Sequence, residues 1–177
     1  MEDERALLDI YLARTREELG QLADAGFLTA GYAFAPVLLV KGVLNAAECD
    51  GAPLLSGADG SALQAALGRL GYLDDAWAAC STIVRSGSSW VTAEPEDLAW
   101  AVEVFDPELV IGLDTKASEA LMGAWALTEP LVPGAVGRVR GRRVLNLGGF
   151  EAALADPQAK QLMWARLKQV PPLGAPL

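Results

Sequence analysis

The segment EPEDLAWAVEVFDPELVIGLDTKASEAL, residues 94–121, predicts a helix, a buried strand and a second helix in succession. Pro95 suits the first turn of a helix, where its missing N–H costs nothing, and Leu98 and Val102 follow on one face. The run LVIGL, 109–113, is short and apolar without interruption, which is typical of a strand covered on both faces of a sheet. The segment therefore indicates an α/β fold.

The same alternation of helices and apolar strands extends along the rest of the chain, after a first helix over 3–25. Alternating strands and helices favour a parallel sheet. We therefore expect one domain over 1–177, with a four-stranded, mainly parallel sheet flanked by helices on both faces. Between 128 and 141 the sequence predicts one long irregular loop. The predicted strands lie near 37–40, 79–84, 109–113 and 143–147.

Side chains at predicted helix starts give two further expectations. Ser61 and Gln64 form a capping-box pattern ahead of an apolar helix. Asp156 is a natural N-cap with Pro157 at the first helical position, and we expect the last helix to continue to about Val170.

Composition restricts the class of protein. The formal net charge is −9, and hydrophobic residues make up 52% of the chain, so disorder is not expected. No apolar run approaches the roughly 20 residues of a membrane span. The N-terminus, MEDERALLDIY, is acidic and amphipathic, unlike a signal peptide. We expect a cytoplasmic protein without a membrane partner.

The chain contains no histidine and two cysteines, Cys49 and Cys80. The absence of histidine excludes Ser-His-Asp and Cys-His catalysis and any histidine-ligated metal. Two thiolates cannot supply the four ligands of a typical iron–sulfur cluster or structural zinc site. We therefore expect neither a metal nor a cofactor.

Four segments, in order along the chain, carry a resemblance to a known family. They are KGVLNAAECDGAPLLSGADGSALQAALGRLGY (41–72), STIVR (81–85), EPEDLAWAVEVFDPELVIGLDTKASEAL (94–121) and VLNLGGFEAALADPQAKQLMWARLKQV (144–170). Together the segments resemble the uracil-DNA glycosylase superfamily, most closely its bacterial single-domain branches, with degenerate motifs. The resemblance implies a three-layer fold and a relation to DNA base-excision repair.

The departures from the family motifs fall at the positions that do its chemistry. Lys41 stands where the resemblance places the first glycine of the water-positioning loop. Leu55 replaces the aromatic residue that stacks on the flipped base, and Thr82 replaces the base-reading Asn. Gly149 stands about where the family has its His, which stabilises charge on the leaving base. Because these losses coincide, they indicate that glycosylase chemistry has been abandoned.

No catalytic residue is identified with confidence, and Asn45 and Glu48 are the candidates for orienting a water. Asn45 also fits a turn residue accepting a backbone bond, and Glu48 a plain solvated side chain. The resemblance implies a ligand pocket beyond the carboxyl ends of the strands. Its expected lining is Gly42, Asn45, Leu55, Ser56, Thr82, Gly148 and Gly149.

Arginines are the candidates for contact with a nucleic acid or another anion, although a solvated hairpin also explains their clustering. The net charge disfavours DNA as a partner, because nucleic-acid binders usually present a basic face. DNA stays a conceivable partner, and so does a protein. The candidate arginines are Arg85, Arg138, Arg140, Arg142 and Arg143.

Three functional hypotheses follow from the sequence. The first is a glycosylase-like protein that has lost activity and serves as a binding or interaction module. The second is an active DNA glycosylase with a divergent site, which uses Asn45 or Glu48 to orient water and the backbone of Gly148–Gly149 as the donor to the base. The third is a different enzyme on the same fold.

Overall fold

The structure is a computed structural model that describes residues 2–174. Seven helices and seven strands alternate over this range. The helices are α1 (Glu2–Asp24), α2 (Ala46–Cys49), α3 (Ala58–Leu70), α4 (Pro95–Phe105), α5 (Thr115–Ala124), α6 (Phe150–Ala153) and α7 (Pro157–Leu167). The strands are β1 (Phe27–Gly31), β2 (Val37–Lys41), β3 (Trp77–Ser86), β4 (Ser89–Thr92), β5 (Leu109–Gly112), β6 (Val136–Val139) and β7 (Arg142–Asn146).

All seven strands join one mixed sheet in the order β1-β3-β2-β5-β7-β6, and β4 pairs with β3 outside that path. The four predicted strands correspond to β2, β3, β5 and β7, which pair in parallel at the centre. The expected count of four strands is nevertheless wrong, because β1, β4 and β6 add antiparallel pairs. The α/β class is confirmed, and the sheet is larger and mixed.

The three additional strands were not predicted because many of their side chains are partly or fully exposed to solvent. The side chains of β4 and β6 are half-buried or exposed, so neither strand shows the apolar run of a buried strand. Strand β6 lies inside the segment expected to be an irregular loop. It forms a hairpin with β7 across Arg140 and Gly141, both with positive φ.

Alternate side chains of the central strands fill two separate apolar cores, one on each face of the sheet. Val37 and Leu39 of β2 point into the core that contains Leu63 of α3 and Leu167 of α7. Leu38 of the same strand points into the opposite core, which α1, α4 and α5 cover. Helices on both faces bury β2 and β5 completely, which explains the apolar runs 37–40 and 109–112.

The helix starts agree with the sequence at α7 and differ at α3. Asp156 caps α7 by accepting the N–H of Gln158 at 3.1 Å, with Pro157 in the first turn. The expected capping box at Ser61 is wrong, because α3 begins at Ala58 after Gly57 and the Ser61 hydroxyl donates to the Gly57 carbonyl. Helix α7 ends at Leu167, three residues before the expected end.

Among residues 2–174, no helix combines the length and apolar character that a membrane crossing requires.

Candidate functional site

A lysine is buried where the central strand β2 ends. Lys41 is the last residue of β2, and its side chain is only 2% exposed. Its Nζ lies 2.6 Å from Asp59 Oδ2, 2.8 Å from Glu48 Oε2 and 2.9 Å from Glu151 Oε2. Three acceptors match the three N–H groups of an ammonium. We call these four residues the Lys41 cluster.

The three carboxylates reach Lys41 from the first turns of three helices. Glu48 belongs to α2, Asp59 to α3 and Glu151 to α6. Helix N-termini favour acidic side chains because unpaired backbone N–H groups point toward them. The helices α2 and α3 follow β2, and α6 follows β7, so the parallel order of the strands brings all three to the same edge of the sheet.

The cluster keeps Lys41 protonated. Burial alone would lower the pKa of Lys41, but hydrogen bonding and ion pairing to Asp59, Glu48 and Glu151 outweigh it and hold the pKa above its ordinary value of 10.5. A lysine that acts as a nucleophile or a base needs a lowered pKa, so this ammonium is suited to fixing charges rather than to attack.

The two candidate water-orienting residues, Asn45 and Glu48, are bonded to each other. Asn45 caps α2 by accepting the Glu48 N–H at 3.0 Å, and Glu48 Oε2 accepts the Asn45 N–H at 3.0 Å, which completes a capping box. Glu48 Oε1 accepts the Leu55 N–H at 2.8 Å, and Asn45 Nδ2 donates to Glu151 at 3.1 Å. Every polar atom of both side chains therefore has a partner within the protein.

Asp114 joins the loop after β2 to the start of α5. Its carboxylate accepts the N–H groups of Gly42 at 2.9 Å and Val43 at 3.1 Å, and it caps α5 through the Ala117 N–H at 2.9 Å. A Cβ at Gly42 would lie 2.3 Å from the Ala117 nitrogen, so only glycine fits this close approach. Gly42 therefore serves the packing of this loop.

A cavity of about 420 Å³ opens above the cluster at the carboxyl edge of the sheet. Its lower part is charged, and much of its wall is apolar. It is lined by Lys41, Val43, Leu44, Asn45, Asp59, Leu113, Asp114, Gly149, Phe150, Glu151 and Ala152. A volume of this size is in the range of small-molecule sites.

The loop after β7 closes one side of this cavity through its backbone. The N–H groups of Gly149 and Phe150 both donate to the Leu113 carbonyl, at 3.0 and 2.8 Å. The loop is thereby held against the end of β5. The Gly149 N–H, one of the two backbone donors expected for a ligand, is already used inside the protein.

Five of the seven residues expected in the pocket do not line the cavity. Leu55 and Thr82 are buried in the structure, and Ser56 is exposed on the surface. Gly148 lies beside Arg166, whose guanidinium donates to the Leu147 carbonyl. Gly42 is also outside the lining, although its neighbour Val43 belongs to it, and Asn45 and Gly149 are the two expected residues that line the cavity.

The candidate arginines do not gather at this site. Arg142 begins β7, so it lies at the opposite, amino edge of the parallel strands, where its guanidinium contacts Glu103, Asp106 and the Pro107 carbonyl. Arg143 donates to the Pro171 carbonyl at 2.8 Å. The remaining three arginines are exposed. Arg138 and Arg140 lie on the β6–β7 hairpin, and Arg85 lies over the ring of Trp90 in the β3–β4 hairpin.

The sequence did not single out three residues of the site, Asp59, Asp114 and Glu151, and it noted Lys41 only as a replaced glycine. The sequence does contain a signal for Lys41 and Asp114. Lys41 directly follows four apolar strand residues, and Asp114 directly follows the LVIGL strand, which are the positions that reach the ligand edge of a parallel sheet. Asp59 and Glu151 depend on the packing of separate helices and carry no such local signal.

Within residues 2–174, no group of three or more His, Cys, Asp and Glu side chains is arranged to hold a metal ion. The space among the three carboxylates of the cluster is taken by Lys41 Nζ. Compared with models of known protein families and with curated proteins, the chain matches none.

Proposed function

We propose that this chain is a uracil-DNA glycosylase-like protein of three-layer fold that has lost glycosylase activity and acts as a binding or interaction module. The Lys41 cluster carries the proposal. A buried ammonium and three carboxylates fill the part of the carboxyl edge where the resemblance places the water-positioning loop. An internal ion network of this kind stabilises the loops and occupies the two candidate catalytic side chains, Asn45 and Glu48.

Neither candidate for orienting a water, Asn45 or Glu48, is free at this site, and Asp59 Oδ1, the carboxylate oxygen of the cluster without a hydrogen bond, is shielded from solvent. A general base must have a free lone pair directed at the water it deprotonates. Glu48 accepts from Leu55, Asn45 and Lys41, and it is buried, so its carboxylate could orient a water only by giving up one of these bonds. The side-chain amide of Asn45 is likewise bonded inside the protein, to Glu151 and to the Glu48 N–H.

Stabilisation of a leaving base also lacks its donors. Removing one positioned donor from such a site commonly costs about 3–4 kcal/mol of barrier lowering. Glycine supplies no side-chain donor at position 149, and the backbone N–H there is bonded to Leu113. The three N–H groups of Lys41 face Asp59, Glu48 and Glu151 instead of the open cavity.

One observation supports the alternative, an active DNA glycosylase. Asn45 and Glu151 both line the cavity, and the Glu151 side chain is 44% exposed, so solvent reaches this end of the cluster. Under this alternative, Asn45 or Glu48 would release an internal bond on substrate binding and orient the attacking water.

An excision assay separates the two proposals. We expect no release of uracil from single-stranded or double-stranded DNA above the level of a protein-free control. Excision by the unaltered protein that Asn45→Ala or Glu48→Gln abolishes would overturn the loss of activity and support the alternative. The variant Asp74→Asn is the matched control, because it neutralises an exposed carboxylate away from the cluster and from the candidate arginines.

A ligand in the cavity can be tested with a second variant. Ala152 lines the cavity, is exposed and makes no bond to the cluster, so Ala152→Trp should obstruct the space without disturbing the ion network. A compound that raises the melting temperature of the unaltered protein but not of Ala152→Trp binds in this cavity. Equal shifts in both proteins place the compound elsewhere.

A further inference from the structure

The first half of α1 exposes large apolar side chains to solvent. Every residue from 3 to 11 is exposed. Leu7, Leu8 and Tyr11 are between 52% and 67% exposed, and the ring of Tyr11 lies 5.1 Å from the ring of Phe34, which is itself 41% exposed. We call Leu7, Leu8, Tyr11 and Phe34 the α1 patch. A contiguous apolar patch of this kind marks an interaction surface.

The α1 patch continues the stripe by which α1 packs on its own chain. In the second half of the helix, Thr15 and Leu22 are buried, and Leu22 belongs to the core under α4 and α5. Leu8 and Tyr11 precede Thr15 by seven and four residues, so they lie on the same side of the helix. The apolar stripe of α1 therefore extends beyond the part of the helix that packs against the rest of the chain.

Charges along α1 indicate what covers the patch. Asp3 and Glu4 precede the patch, with Arg5 beside them, and Arg14 and Arg16 follow it, ahead of Glu17 and Glu18. Arg14 also forms an exposed ion pair with Glu18 of its own helix at 3.2 Å, which water and a second helix can both reach. In an antiparallel pair of identical helices, a two-fold axis near Asp9 sets Glu4 of each helix against Arg14 of the other. The same axis sets Leu7 against Tyr11.

We propose that a second copy of this chain covers the α1 patch, with the two α1 helices antiparallel about a two-fold axis. Such an interface is isologous, so each contact occurs twice, as in most homodimers. The apolar side chains meet at the centre and the opposite charges at both ends. This proposal does not depend on the function proposed above.

A membrane surface fits α1 less well. The helix contains seven acidic residues against three arginines and no lysine. Helices that lie in a membrane interface are instead rich in Lys and Arg, which anionic lipids attract.

Sedimentation velocity on the full chain over a concentration series tests the proposal. We expect a concentration-dependent species of twice the 18.6 kDa chain mass. Leu7→Glu and Tyr11→Glu should each raise the dissociation constant at least about tenfold, because a charge would be buried at the centre of the interface. Leu73→Glu places the same charge at another exposed leucine, outside α1, and should leave the dimer unchanged. Circular dichroism checks that each variant is folded.

A charge exchange tests the antiparallel arrangement. Glu4→Arg and Arg14→Glu should each weaken the dimer by about two- to tenfold, since each sets like charges together, and the double variant should restore it. A monomeric mass at every concentration overturns the proposal. So does a dimer that Leu7→Glu leaves intact, and failure of the double variant to recover overturns the antiparallel pairing.

Discussion

Each of the two edges of the sheet holds a cation bonded to carboxylates, but the two groups differ in their exposure to solvent. At the carboxyl edge, Lys41 and two of its three partners are 2% exposed. At the amino edge, Arg142 is 11% exposed, but Glu103 and Asp106 are 47% and 73% exposed. If Arg142 is lost, water can solvate both of its carboxylate partners, and only the buried Pro107 carbonyl loses a donor. If Lys41 is lost, Glu48 and Asp59 stay buried with their charges uncompensated. The same kind of contact should therefore differ several-fold in what its removal costs.

The largest effect should follow removal of Lys41. Lys41→Met keeps most of the side-chain volume and removes the charge, which should lower the free energy of unfolding by about 3–5 kcal/mol, because breaking a buried ion network leaves unpaired buried charges. Urea unfolding at neutral pH measures this. A loss below about 1 kcal/mol would show that the carboxyl edge tolerates uncompensated charge and would end the contrast between the two edges.

A smaller effect should follow neutralisation of one buried partner. Glu48→Gln keeps the shape of the side chain but replaces a charged acceptor of the Lys41 ammonium and of the Leu55 N–H by an amide. We expect the free energy of unfolding to fall by about 1.5–3 kcal/mol, the range for hydrogen bonds to charged groups. The partly exposed Glu151 provides the control, because Glu151→Gln should cost clearly less in the same urea experiment.

At the amino edge the expected loss is about 1–2 kcal/mol for Arg142→Met, because its two carboxylates are solvated once the guanidinium is gone and only the buried Pro107 carbonyl is left without its partner. Salt sharpens the comparison. In 1 M NaCl the difference between the unaltered protein and Arg142→Met should shrink, whereas the difference for Lys41→Met should persist, since buried pairs are screened much less. Equal salt sensitivity of the two differences would contradict the burial argument.

The smallest effect concerns alkaline pH. The pKa of Lys41 is higher in the folded chain than the 10.5 of an unfolded lysine, so its contribution to stability is complete below pH 10.5 and declines as pH rises toward the folded pKa. At pH 11 the stability difference between the unaltered protein and Lys41→Met should be smaller than at pH 9, because part of the extra proton affinity of the folded chain no longer contributes above pH 10.5. Subtracting the variant cancels other alkaline losses, such as ionisation of Cys80, whose pKa burial raises to about 12.

The central strands could be predicted from the sequence because a strand buried on both faces is an uninterrupted run of apolar residues. Residues 37–40 and 109–112 are uninterrupted apolar runs, and both strands were predicted close to their observed limits. The strands β4 and β6 were not predicted, because they are partly exposed and pair as short hairpins whose apolar pattern is weak. Pairing at the edge of a sheet is decided by neighbouring strands more than by local sequence.

The site was readable only in part. Asn45 and Glu48 were identified three residues apart in one loop, and that spacing is the signature of the capping box they form. The other two carboxylates of the Lys41 cluster, on Asp59 and Glu151, lie 14 and 106 residues farther along the chain than Asn45. No local pattern connects such positions. Burial of Lys41 likewise depends on all three helices that surround it.

The bonds that Glu48 accepts from Asn45 and Leu55 also bear on how the loops of the carboxyl edge move. Both donors are backbone N–H groups, held at 3.0 and 2.8 Å by a carboxylate that is itself held by Lys41. Such amides exchange with solvent deuterium only when the whole arrangement opens, so they should exchange nearly as slowly as amides of the central strands. In enzymes whose lids close over substrate, loops at this position belong to the least protected part of the molecule. Here the same loops form part of its rigid frame.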